Sequence, residues 1–171
     1  VRQKSYRKDV SYYKCVIQAG YIVYSIEPSL LLSVCGNGVV VTLQDPVNKV
    51  GGMAHCVFPD STKGETPTNF HSNIAIRSLY KKINQHKRLT RHVEAQLFGG
   101  ANFCGIKKKR ASQLIADIRK QLDMMKVKVV AEDVSGNIGR KIIFNTYSGE
   151  TLVFKTKKVR HSDWTPEKPR K

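Results

Sequence analysis

The residues best suited to chemistry are one histidine and the cysteines that could serve it. His55 closes the run Gly51-Gly52-Met53-Ala54-His55, where two glycines let another backbone or a ligand approach a strand closely. A neutral imidazole is a general base. Such a base can activate a cysteine or serine within hydrogen-bond reach for attack on a carbonyl carbon. Cys56 is next in sequence, but consecutive strand residues point to opposite faces, so it is a poor partner. Cys35 lies just before the bend Gly36-Asn37-Gly38 and is the alternative nucleophile if that bend turns its thiol toward His55. Against this, a lone histidine at a strand end and a buried cysteine both occur most often for packing alone. Gly99-Gly100 follows the apolar Leu97-Phe98 and reads either as a plain turn or as an amide nest for an oxyanion. The segment from Asp133 to Arg140 carries Gly136 and Gly139 but no Gly-Lys-Ser/Thr ending, and it leads into a strand. A structural turn is expected there, not a nucleotide site.

Positioning these groups requires many strands. β-branched and aromatic residues from Cys15 to Ile26 suggest one or two strands around Gly20, and Leu30 to Val34 suggests another. Gly38 to Leu43 reads as a buried strand that turns at Asp45-Pro46 and returns to His55. Residues 60–70 read as loop. Ile76, Leu79, Tyr80 and Ile83 share one face of a helix from about Ser72 to Gln85. A strand is expected over 92–98. A second helix over 110–125 is marked by the stripe Leu114, Ile115, Ile118, Leu122 and Met125. Further strands are expected at 127–132, 139–146 and 150–157, the last two joined through Tyr147-Ser148-Gly149. Two helices can cover one face of a sheet, and this many strands need a second sheet to bury the rest. The fold class is therefore α+β.

The chain of 171 residues suits one domain, with a basic arm over 1–12, a folded body over 13–157 and a basic tail over 158–171. No apolar run approaches the roughly 20 residues that span a bilayer, and the first eight residues hold no signal-like apolar region. Cys15, Cys35, Cys56 and Cys104 form no C-x-x-C pair, which fits reduced thiols and a cytoplasmic setting. The five histidines show no metal-binding spacing; no metal and no cofactor are expected. Thirty basic against 13 acidic residues give a net charge of +17, a field that draws acidic proteins, nucleic acid or anionic surfaces. A solvated basic surface explains the same charge. Basic residues interleave with tyrosines only near the N-terminus, at Tyr6, Tyr12 and Tyr13, so nucleic acid is the less favoured partner.

The order of these segments resembles the CheD family of bacterial chemoreceptor glutamine deamidases. Asp45-Pro46, Gly51 to His55 and Pro59-Asp60 match its central motif. Glu94 to Ala101, Asp133 to Arg140 and Thr146 to Gly149 resemble its later blocks, so the likeness covers roughly residues 15 to 157. It implies a layered α/β/β sandwich with two helices on one face of mixed β-sheet, and hydrolysis of receptor glutamine side chains by a thiolate with a histidine base. It also implies two partners, chemoreceptor cytoplasmic helices and a CheC-type phosphatase. By the same resemblance His55 holds the base position. Counting back without a gap, the nucleophile position falls on Gly38, which has no side chain. The family's helper threonine falls on Leu32, or on Ser33 with a one-residue shift, and after Gly100-Ala101 the segment Cys104-Gly105-Ile106 and the run Lys107 to Arg110 replace the family's usual one. Losing a nucleophile that acts with its base costs on the order of a million-fold in rate. The expectation is a deamidase-fold protein that binds a receptor or another protein partner without efficient deamidation. Two alternatives stay open: an active deamidase using Cys35 and His55, and a basic nucleic-acid-binding module.

Overall fold

The computed structural model describes residues 11–62, 64–85, 92–102 and 108–157. The basic arm through residue 10, the tail from 158, Cys104, and the basic residues Lys87, Arg88, Arg91 and Lys107 lie outside the described residues.

Among the described residues two sheets and two helices form three layers. One sheet has four strands in the order β1 (Tyr13–Ile17), β3 (Ser29–Cys35), β8 (Gly139–Asn145) and β9 (Thr151–Thr156). The other has five, in the order β2 (Ile22–Ser25), β5 (Val50–Cys56), β4 (Val39–Asp45), β6 (Glu94–Gly99) and β7 (Lys128–Val134). Both sheets are mixed: β1 runs parallel to β3 and β6 parallel to β7, while the other pairs are antiparallel. The α+β class and the α/β/β layering are as the resemblance implied.

Burial explains the strand sequences. The five-stranded sheet is covered on both sides, so central β4 is buried throughout and reads Val-Val-Val-Thr-Leu rather than alternating. On one side Val39, Val41, Leu43, Ala54, Cys56 and Leu97 pack against the helices α1 (Ser72–Asn84) and α2 (Lys108–Met124). The expected stripes supply the other half of that core, with Ile76, Leu79, Ile83, Leu114, Ile115, Ile118 and Leu122 buried. On the other side Val40, Met53 and Phe98 meet Ile17, Leu31, Cys35, Ile142 and Phe144 of the four-stranded sheet. The outer strand β9 alternates, with Val153 turned to the core and Leu152 and Phe154 exposed.

Three connections meet at one end of the sandwich. Gly36-Asn37-Gly38 carries the chain from the four-stranded to the five-stranded sheet, and residues 135–138 carry it back. The segment after β6 ties them together. Gly100 N–H donates to the Gly38 carbonyl (2.8 Å), Ala101 N–H to Gly36 (2.9 Å) and Asn102 N–H to Gly136 (2.7 Å).

Candidate functional site

His55 sits on β5 opposite Val40, with its ring turned into the space between the sheets. Its backbone is held on both sides: His55 N–H donates to Tyr21 (3.1 Å), and Gly20 N–H donates to the His55 carbonyl (2.9 Å). Ser33, from the four-stranded sheet, reaches across the interior and places its hydroxyl 3.0 Å from His55 Nδ1. The same hydroxyl lies 2.8 Å from the Ile17 carbonyl, which takes its single proton. Ser33 therefore accepts from His55, the ring proton resides on Nδ1, and Nε2 keeps its lone pair. Leu32, the other candidate for the helper position, is one residue out of phase with Ser33 and faces away from His55.

Nε2 points at Gly38. A Cβ built on Gly38 would stand 2.8 Å from His55 Nε2 and 2.8 Å from the Cys56 carbonyl oxygen, closer than real Cβ atoms come. The backbone has closed on the histidine to a distance only glycine permits. The imidazole thus faces the position that the resemblance assigns to the nucleophile, a position with no side chain here. Only 2% exposed, His55 is pulled by burial down to about 4, so at neutral pH the ring is uncharged and a weak base.

Cys35 is the cross-strand neighbour of Arg140 on β3 and is fully buried. Its thiol faces the Phe98 carbonyl at 3.6 Å, and burial pushes it up to about 12, only partly countered by the Arg140 charge. A thiol so placed is protonated at neutral pH and a poor nucleophile. Cys56 packs on the helix side of β5, the face opposite His55, and burial pushes its thiol up to about 12 as well.

Gly99 and Gly100 are buried and act as struts. The Gly100 amide is taken by Gly38, so the pair braces the 36–38 bend and offers no exposed amide nest. This corrects the oxyanion reading of the pair. Gly99 has φ +115, and a side chain there would collide with the Gly38 carbonyl and stand 2.8 Å from Cys35 Sγ. The segment after β7 is the expected structural turn, with Ser135 N–H donating to the Gly99 carbonyl (2.8 Å). Among the described residues no cluster of His, Cys, Asp or Glu is arranged to hold a metal ion.

Above Gly38 lies a recess of about 120 Å³ lined by Asn37, Gly38, Val57, Phe58, Arg110, Ala111 and Leu114. It adjoins a shallower depression lined by Asp60, Thr62, Glu65 and His71, with Phe58 and Arg110 shared between the two. Asp60 builds the wall. Its carboxylate accepts from Ser72 of α1 (2.8 Å) and Gln121 of α2 (2.8 Å), and its own amide donates to Asp117 (3.0 Å). The Phe58 amide donates to the Phe70 carbonyl (2.9 Å), and the Phe58 carbonyl accepts from Ser72 (3.0 Å). The Arg110 guanidinium lies over the Phe58 ring, 4.4 Å from its centroid. Phe58 and Arg110 were not singled out from sequence. Arg110 only ends a basic run, and nothing in the order of residues places the start of α2 beside Gly38.

Residues 57–155 match the family model described as CheD chemotactic sensory transduction. The chain is 34% identical over 151 residues to a probable chemoreceptor glutamine deamidase CheD of Desulforamulus reducens, covering 80% of this chain and 89% of that protein. It is 32% identical over 142 residues to a similarly named protein of Anaeromyxobacter dehalogenans (80% and 81%). It is also 29% identical over 144 residues to the chemoreceptor glutamine deamidase CheD of Thermotoga maritima (83% and 92%). The family-model match begins at Val57, beyond both Gly38 and His55.

Proposed function

From the premise that this chain belongs to the CheD family of chemotaxis proteins, we propose that it acts by binding a chemoreceptor and not by converting one. The observation that carries this reading is the pairing of His55 Nε2 with Gly38. His55 aims at the position that the family likeness gives to the nucleophile, and a Cβ there would stand 2.8 Å from both His55 Nε2 and the Cys56 carbonyl oxygen, so a side chain enters only if its neighbours shift. Nucleophilic deamidation needs a thiolate or alkoxide at that point. The nearby thiol of Cys35 faces the Phe98 carbonyl and stays protonated at neutral pH, which argues against a substitute nucleophile.

The proposed partner is a chemoreceptor, as the names of the relatives suggest, engaged through its cytoplasmic helices as the family likeness implies, and the proposed place of action is therefore the cytoplasm. A CheC-type phosphatase is a second proposed partner through the family likeness. The net charge of +17 supports association with an acidic surface by steering the encounter. No helix among the described residues is long and apolar enough to cross a membrane.

The test is ammonia release together with the glutamine-to-glutamate mass shift on a chemoreceptor cytoplasmic fragment. The expected result is binding of the fragment at low salt with neither signal above background. Release that disappears in both Cys35→Ala and His55→Ala would overturn the reading and make Cys35 the nucleophile. Failure to bind the fragment would remove the receptor as partner.

A further inference from the structure

We propose that the recess above Gly38 is a carboxylate reader, in which Arg110 receives a glutamate side chain, the deamidated form of a receptor glutamine, in preference to glutamine itself. This deepens the binding role proposed above and rests on it for the identity of the partner.

The lining of the recess is the first support. Val57, Phe58, Ala111 and Leu114 make apolar walls for a short methylene stem, and among the described residues Arg110 is the one charged residue lining it. The acids of the adjoining depression are already engaged. Asp60 accepts from Ser72 and Gln121, while Glu65 accepts from the Thr62 amide (2.8 Å) and lies 3.8 Å from His71 Nε2. Among the described residues Arg110 is in no ion pair. Its guanidinium carbon instead lies 4.4 Å from the Phe58 ring centroid, a contact that restrains the side chain at the recess while its N–H groups remain donors for a planar acceptor.

Chemistry then separates the two side chains. A carboxylate offers two acceptor oxygens to the guanidinium fork, whereas a carboxamide offers one oxygen and turns donor protons toward a cation. The glycine at position 38 adds to the preference. A thiolate there would repel a carboxylate and react with a carboxamide, and Gly38 does neither. The closed backbone and the neutral His55 behind it add no negative charge at the Gly38 end of the recess, and the carboxylates of Asp60 and Glu65 lie in the adjoining depression.

A rival explanation is that the +17 field draws any anion, with no role for Arg110. N-acetyl-glutamate α-amide and N-acetyl-glutamine α-amide would be titrated by NMR at physiological ionic strength into the full chain, Arg110→Gln and Lys109→Gln. Lys109→Gln removes the same charge one residue away, at a side chain that does not line the recess. The expected result is about ten-fold tighter binding of the glutamate probe, lost in Arg110→Gln and kept in Lys109→Gln. Equal binding, no binding, or a preference that survives Arg110→Gln or falls equally in Lys109→Gln would overturn the proposal.

A second arm uses a Thermotoga maritima chemoreceptor cytoplasmic fragment before and after full deamidation by that organism's CheD. Tighter binding of the deamidated fragment supports the inference. Equal binding of both forms overturns it and leaves the receptor-binding reading standing. A fragment that does not bind, beside a clear preference among the small probes, removes the receptor while the carboxylate chemistry stands.

Discussion

Gly38 and His55 occupy a space in which no third side chain fits. Gly38→Ala is therefore expected to be destabilising by about 1–3 kcal/mol, the usual range for forcing atoms into a packed site, and urea unfolding measures it. Part of the strain falls on the Cys56 backbone, so rotating the histidine alone does not relieve it. Gly38→Cys supplies a thiol but begins from the same crowding, so any ammonia release it recovers must come with the 36–38 bend displaced. His55 also leaves a signature in pH. Burial lowers its folded-state value to about 4 from the ordinary 6.5, so the unfolded chain takes up the proton first as pH falls. The contribution is fully present above pH 6.5 and is lost as pH falls from there toward about 4, at up to about 1.4 kcal/mol per pH unit. Unfolding midpoints of the wild type and His55→Gln, measured across that window, are expected to converge as pH falls. Parallel curves would mean that His55 does not titrate this way.

At the scale of elements, the site depends on the three connections that meet at one end of the sandwich. Asp133 at the end of β7 and Arg140 at the start of β8 clamp the return connection, with Arg140 Nη2 2.7 Å from Asp133 Oδ1. Arg140 also donates to the carbonyls of Ile138 (2.9 Å) and Ser135 (2.9 Å), which holds the turn whose Ser135 amide reaches Gly99. The Arg140 hydrogen bond, helped by its charge, holds the Asp133 carboxyl below the usual carboxylate range. Asp133→Asn leaves the buried guanidinium without its counter-charge. The expected loss is about 2 kcal/mol by chemical unfolding, short of the full cost for a wholly buried pair because the Asp133 side chain keeps 31% exposure. Much at this scale was legible in the residues. Helical stripes and strand alternation follow from short-range periods of 3.6 and 2, and the Gly36-Asn37-Gly38 bend stands out between two apolar runs. Edges were less legible: β3 extends through Cys35 and α2 begins at Lys108. Ends of elements are set by pairing partners and caps, not by composition.

For the whole molecule the dominant quantity is a charge of +17 on 171 residues. Affinity for an acidic receptor fragment is expected to fall as salt rises, through a slower association rate with dissociation little changed, because screening shortens the reach of the field. Stopped-flow or surface-binding kinetics at two salt concentrations checks this. Nucleic acid would show a steep salt dependence too. A competition between single-stranded DNA and the receptor fragment therefore separates the two partners, and the fragment is expected to win at physiological salt.

The order of residues by itself determined the α+β class, the covering of one sheet face by two helices and the family. Each follows from local periodicity or from motifs that survive in sequence. Tertiary structure alone decided that Ser33 rather than Leu32 meets His55, because that hydrogen bond crosses between two sheets and turns on which face of β3 looks inward. It also turned Gly99-Gly100 from an exposed nest into a brace, and it set Arg110 and Phe58 beside Gly38 from positions far apart along the chain. Such contacts depend on where whole layers come to rest against one another, and no short-range pattern in a sequence encodes that.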